Sequence, residues 1–293
     1  MLNGFLNVHK PVGITSHDVV ARLRRMTRTA GIDKVGHAGT LDPLASGVLV
    51  VCVGSATRLS DYVMHTTKRY QAHVVLGTRT DTYDAEGRIT AQTSADHITQ
   101  ADVEALLPRF TGQIAQVPPA YSALKQGGKK LYELARAGEE VTLQPRPVTI
   151  ERLQVLSWQA GAFVLDVVCG AGTYIRSLAH DMGDALGVGA HLGGLVRVAS
   201  GAFTLERAVT LDDLLAQDDA WQAHLIAPSE ALAHYPQVHL SAQDVQDIRH
   251  GRTIAGREGV GESLCLGMTA EGDLLALLQP DGAWLKPHKV FLG

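Results

Sequence analysis

The sequence predicts an α+β fold, in which a mixed, mostly antiparallel sheet carries the body of the chain and a small β-rich unit closes it. Three observations carry this expectation. Apolar runs and amphipathic stretches interleave without the regular strand–helix period of a parallel doubly wound sheet. Several strand candidates follow one another directly. Near residues 210–235 the pattern loosens into an acidic helix and a proline-containing linker, which divides the chain into units 1–235 and 236–293.

In chain order, "FLNVHKPVGITS" (5–16) reads as a short strand running into a Pro-Gly turn. Thr15 or Ser16 then caps a helix with Val19, Val20, Leu23 and Met26 on one face. "GVLVVCVG" (47–54) is a continuous apolar run bounded by glycines and suits a fully buried strand. "RYQAHVVLG" (69–77) alternates, so Tyr70 shares a face with Ala72, Val74 and Leu76. "TRTDTYDAEG" (78–87) has the composition of a long loop. A helix capped by Thr99, with Asp102 three positions on, follows at 100–108. "AFVLDVVC" (162–169) is a further strand, and Leu178, Met182 and Leu186 mark a helix after "GAGTYIR". In the last unit, a Ser241-capped helix precedes the small strands "SLCLGMT", "DLLALLQ" and "LKPHKVF".

Composition narrows the function. The chain has 293 residues, 45% hydrophobic and 19% charged, as in ordinary soluble globular proteins. Cys52, Cys169 and Cys265 lie in apolar segments without metal-ligand spacing, which argues against a disulfide framework or zinc site and for a reducing compartment. Residues 1–15 do not resemble a signal peptide, and no apolar run approaches the ~20 residues of a membrane span. A cytoplasmic monomer is the expectation. The net charge of -4 does not advertise a nucleic-acid partner, yet four arginines in residues 21–28 and three lysines in 125–130 permit a basic face.

No Gly-x-Gly-x-x-Gly, Walker loop, Gly-x-Ser-x-Gly or His-Glu-x-x-His occurs, and His37 has no neighbouring cluster of metal-ligating residues. The segment "GHAGTLDPLASGVLVV" (36–51) instead places one carboxylate, Asp42, in a turn before a buried strand. Such an aspartate either accepts backbone N–H bonds in the turn or stands exposed as a reactive group. On the second reading, Gly36, Gly39 and Gly47 hold a tight loop that a bulky partner can approach. A lone carboxylate suits covalent attack or proton abstraction better than the paired-acid chemistry of glycosidases.

"GHAGTLDPLASGVL" closely resembles the motif of the TruB-type tRNA pseudouridine synthases. "KPVGITS" (10–16), "KRYQAHVVLGTRTDTYDAEG" (68–87), "VPPAYSALKQGGKKLYELARAG" (117–138) and "CGAGTYIRSLAHDMG" (169–183) are similar to four more of the family's motifs, in order. The resemblance implies isomerisation of a T-loop uridine of tRNA, position 55, with no metal, nucleotide or redox cofactor. It also implies a PUA-like RNA-binding C-terminal domain and leaves room for a tRNA-folding role. Asp42 would be the catalytic residue, acting by attack on the ribose C1', by addition to C6 of the base, or by abstraction of a sugar proton. Tyr70 would stack on the uracil, and Arg176 would pair with Asp42 and keep it ionised and oriented. Tyr174, on the same side as Arg176 if "TYIR" is extended, would form a second wall; Leu195 would pack on the flipped base; His37 would fill the space it leaves. Lys10, Lys125 and the arginines of 22–28 would contact phosphates. Two departures from the family pattern are His9 before Lys-Pro and Val196 in "LVR".

Overall fold

The structure, a computed structural model, describes residues 3–121, 143–258 and 260–291, together with the backbone of 125–126 and 129–130. The chain opens with β1 (Gly4–Lys10) and enters α1 (Ser16–Arg28), where Thr15 and Asp18 form a reciprocal capping box. Val19, Val20 and Leu23 make its buried face. There follow β2 (Val35–His37), β3 (Ala45–Val53), α2 (Ser60–Met64) and β4 (Lys68–Leu76). Next come the pair β5 (Thr78–Thr80) and β6 (Ile89–Gln92), then α3 (Gln100–Leu106) and β7 (Gly112–Gln116). The short β8 (Lys125–Gln126) and β9 (Lys129–Lys130) pair with each other. The body closes with β10 (Arg146–Gln159), β11 (Ala162–Cys169), α4 (Ile175–Ala185), β12 (Ala190–Ser200), β13 (Phe203–Thr204), β14 (Val209–Thr210), α5 (Leu211–Ala216) and α6 (Pro228–Ala231).

The main sheet runs β14-β1-β3-β12-β4-β11-β10-β7, with β2 added to β3 and β13 to β12. Only the β1–β14 and β3–β12 pairings are parallel. The mixed, mostly antiparallel sheet is therefore as expected. On β4 the alternation holds: Tyr70, Ala72, Val74 and Leu76 are buried, whereas Arg69 and His73 face out. The buried face packs against Val19, Val20 and Leu23 of α1 and Leu178 and Met182 of α4.

The last unit is a five-stranded sheet ordered β15 (Gln237–His239), β17 (Cys265–Met268), β18 (Leu274–Asp281), β19 (Trp284–Val290), β16 (Ile254–Ala255), with α7 (Ala242–Arg249) capped by Ser241. Leu266, Met268 and Leu277 share one hydrophobic cluster with Phe5, Val48, Val50 and Cys52 on the back of β1 and β3. Arg58 Nη1 donates to the Val290 carbonyl (2.8 Å) across the same junction.

Two local expectations need correction. Residues 211–235 are not a loose linker: Trp221 is wholly buried with Leu214 in the main core, and Phe5 bridges to Ile226. "TYIR" is not extended, because the helix begins at Ile175 with Tyr174 as its cap residue. Gln116 explains the start: its side-chain amide donates to the Tyr174 carbonyl (3.0 Å) and accepts from the Tyr174 N–H (2.8 Å), satisfying the backbone where the turn begins.

Candidate active site

The loop carrying Asp42 joins β2 to β3 and is fixed from two sides. The Ser16 hydroxyl donates to the Leu41 carbonyl and accepts from the Leu41 N–H, both at 2.8 Å, while the Gly13 N–H donates to the Pro43 carbonyl (2.8 Å). "KPVGITS" is thus a brace for the aspartate loop. Beneath it, the wholly buried Arg197 of β12 donates to the carbonyls of Val48 (2.6 Å) and Gly39 (3.0 Å). Gly47 has φ 102°, and a Cβ there would lie 2.2 Å from the Arg197 carbonyl oxygen. The close approach that demands glycine here comes from the chain's own β12 backbone.

Asp42 and Arg176 meet as expected. Arg176 Nε lies 3.0 Å from Asp42 Oδ2; the arginine side chain is 9% exposed and the aspartate 42%. Asp42 Oδ1 has no partner among the described residues, so one oxygen is positioned and the other is open. Arg176 is itself fixed by further acceptors: Asp84 Oδ2 and the Thr82 carbonyl on Nη1 (both 3.3 Å) and the Tyr121 carbonyl on Nη2 (3.0 Å). A guanidinium presents five donors in a rigid fork, and this site uses its three nitrogens in three directions.

Asp84 escaped the sequence reading. It is buried, accepts from the Thr82 hydroxyl (2.6 Å) and the Glu86 N–H (3.1 Å), and pairs with Arg176 in the segment read as a plain loop. That segment contains β5 and a bridge from Asp84 to Leu192 of β12. The one available signal was the second aspartate of "TDTYDAEG", which local composition assigns to turn formation.

Tyr70 lies opposite Arg197 in the β4–β12 register, and Leu195 opposite Ala72 of β4 and Ala45 of β3. Leu195 therefore lies beside β3, the strand that leads out of the Asp42 loop, and Tyr70 one strand further along the sheet. Burial pushes the Tyr70 phenol above its usual range, with the Arg197 charge pulling the other way, so the ring stays neutral. His37 ends β2; its Nδ1 is buried without a partner among the described residues, and burial together with Arg197 and His17 lowers its pKa. Tyr174 lies two residues before Arg176, at the helix start.

Lys10 requires correction as a phosphate contact. Its side chain is wholly buried and its ammonium donates to the carbonyls of Pro11 (2.8 Å) and Ile14 (2.7 Å). Burial lowers its pKa to about 8, against the upward pull of Asp42 and Glu86. It shapes the "KPVGITS" brace rather than reaching solvent. Of the α1 arginines, Arg24 donates to the Val35 carbonyl (2.9 Å) and Arg28 pairs with Asp33 (3.1 Å). The side chain of Lys125 and most of motif 117–138 lie outside the described residues.

The mixed sheet presents one half-exposed carboxylate, Asp42, held by a buried arginine, Arg176, and this fold and site mark a class of protein. Comparison gives the class its name. The profile described as TruB family pseudouridylate synthase (N terminal domain) matches residues 24–175, and that described as tRNA pseudouridylate synthase B C-terminal domain matches residues 176–234. The chain belongs to the TruB family of pseudouridylate synthases. Curated relatives named tRNA pseudouridine synthase B include one from Symbiobacterium thermophilum, 49% identical over 87% of this chain and 84% of its own. Another, from Moorella thermoacetica, is 43% identical over 99% of both. Among solved structures, a Cbf5-Nop10-Gar1 complex superposes with TM-score 0.76 at 28% identity, covering 99% of this chain and 85% of that one. An H/ACA RNP bound to a substrate RNA containing 2'-deoxyuridine gives 0.73 at 27%, with the same coverage. The junction of the two profiles falls inside the site: Arg176 and all of β12 belong to the second, so neither matched segment holds the site alone.

Proposed function

We propose that this chain isomerises the T-loop uridine of tRNA, position 55, to pseudouridine, acting as a monomer without metal, nucleotide or redox cofactor. The reading is supported by the names of the curated relatives and by one geometric observation: Arg176 holds one carboxylate oxygen of Asp42 while the other has no partner among the described residues. One carboxylate is enough because the uracil itself serves as leaving group and as returning nucleophile. The C1'–N1 bond to the ribose breaks, the base turns, a C1'–C5 bond forms, and the proton lost from C5 is balanced by one taken up at N1.

The target base must leave the RNA stack, at a cost of a few kcal/mol. Tyr70 offers a neutral ring for stacking, Leu195 an apolar contact on the flipped base, and Tyr174 a second wall. The Nδ1 of His37, unpartnered among the described residues, suits a side chain that turns into the vacated space. Among the α1 arginines, Arg22 and Arg25 are the better phosphate contacts, because Arg24 and Arg28 are engaged within the chain. The unit 236–293 adds contacts to the rest of the tRNA.

The test is incubation with an unmodified tRNA transcript and chemical labelling of pseudouridine. A T-arm hairpin is expected to react, and a linear oligonucleotide of the same loop sequence poorly, since it lacks the shape that places the phosphates. Absence of labelled product with the transcript, or equal turnover on both short RNAs, refutes the reading or its shape component respectively.

A further inference from the structure

Arg176 reaches the Asp42 loop from α4, and the same helix carries a second contact to the turn that holds Arg176. One helical turn on, the His180 imidazole stacks on the Tyr83 ring, with centroids 3.8 Å apart and planes 12° from parallel. Tyr83 stands between Thr82 and Asp84, whose carbonyl and carboxylate both accept from Arg176 Nη1. Among the described residues it is also the one non-glycine residue in the left-handed region, at φ 65°. Such a conformation at a bulky residue persists only where the surroundings impose it.

The conformation has a geometric purpose. A left-handed residue reverses the chain direction locally, so that the carbonyl before it and the side chain after it converge on one nitrogen. The back of the turn is fixed by β12: the Tyr83 carbonyl accepts from the Leu192 N–H and the Ala85 N–H donates to the Leu192 carbonyl, both at 2.9 Å. The front faces α4, where the ring stack supplements the Arg176 bonds. His180 is oriented in turn, with Nε2 3.5 Å from Asp184 Oδ2, and Asp184 pairs with Arg79 of β5. Burial lowers the His180 pKa, with the Arg79 charge in the same direction and Asp184 opposing.

We propose that the Tyr83–His180 stack is a positioning element for catalysis, locking the left-handed turn of residues 82–84 against α4 so that Arg176 presents its Nε to Asp42. Neither ring touches Asp42; both act through Arg176. The inference rests on the isomerase reading for its kinetic arm but not for its spectroscopic one.

The experiment compares His180→Ala, His180→Phe and Tyr83→Gly in the full chain. Tyr83→Gly removes the ring while relieving the left-handed backbone, so it separates stacking from strain. His180→Ala and Tyr83→Gly should each lower kcat on the tRNA transcript by about threefold to tenfold, the range set by one aromatic pair, with KM within about twofold. His180→Phe, which keeps a flat ring, should restore most of the rate. The double variant His180→Ala with Tyr83→Gly should lose no more than either single one. Without substrate, the Arg176 Nε–H resonance should exchange faster with solvent in His180→Ala than in the wild type or His180→Phe. Unchanged kcat and exchange in His180→Ala, equal losses in His180→Ala and His180→Phe, or additive losses in the double variant overturn the proposal. If the unmutated chain fails to label tRNA, the isomerase reading falls, and the exchange comparison still decides whether the stack positions Arg176.

Discussion

Two aspartate–arginine clusters in this chain use the same chemistry with the partners exchanged. At the Asp42 loop the arginine is buried and the carboxylate half open. On the other face of the sheet, Asp166 of β11 is 1% exposed, and Arg69 and Arg152, at 47% and 53%, hold its two oxygens at 2.7 and 2.6 Å. Asp166 therefore has both oxygens occupied, whereas Asp42 keeps one open among the described residues. Arg176 differs from the outer arginines too, since Asp84 and two backbone carbonyls anchor it independently of Asp42. Which member of an ion pair is buried decides whether the carboxylate can meet an outside molecule.

Exchanging charges at the two clusters should break this contrast unequally. Asp42→Asn should lower turnover by about a thousandfold or more, some 4 kcal/mol of transition-state stabilisation, while tRNA binding stays nearly intact. Single-turnover labelling with a parallel binding titration checks this, and measurable turnover well above a mock purification would remove Asp42 from the chemistry. Arg176→Lys follows, with a loss of about a hundredfold, because an ammonium cannot serve Asp42, Asp84 and two carbonyls from one plane. Rates equal to the unmutated chain would show that the pair is merely structural.

At the outer cluster the expected effect moves from rate to stability. Asp166→Asn should leave turnover unchanged and lower stability by about 1–3 kcal/mol, since two charge-assisted bonds weaken while both arginines are free to rehydrate. Denaturant unfolding reads the second quantity. A fall in kcat without a fall in stability would mean that the outer cluster communicates with the site.

The contrast also shows what was legible in the sequence. Asp42, Tyr70 and Arg176 lie in motifs whose resemblance assigned them, and the structure sets the first and last 3.0 Å apart. The helix caps at Thr99 and Ser241, and at Thr15 as one of two candidates, were readable because a cap acts on backbone only three residues on. Asp84 and Arg197 were not, since their partners lie 92 and up to 158 residues away and depend on strand register. Lys10 misled for a related reason: a lysine before a Pro-Gly turn looks exposed until the turn folds its own carbonyls over the ammonium. The helical start at Tyr174 was hidden because Gln116, from a distant strand, supplies its backbone partners.

A third carboxylate sharpens the comparison at the smallest scale. Asp181 of α4 is partly buried like its counterparts, but no arginine or lysine pairs with it among the described residues. Burial, reinforced by Asp184, raises its pKa to about 6. The folded state thus holds a proton that the unfolded chain releases near pH 4. Asp181 favours the folded state fully only below that range, and its contribution is lost as pH rises through about 6. Asp181→Asn should therefore gain on the order of 1–3 kcal/mol at pH 7 and nothing at pH 4, with turnover unchanged. Unfolding measured at both pH values checks the sign. A gain at pH 4 equal to that at pH 7 would show that packing, rather than an unpaired charge, sets the difference between Asp181 and the arginine-held Asp42 and Asp166.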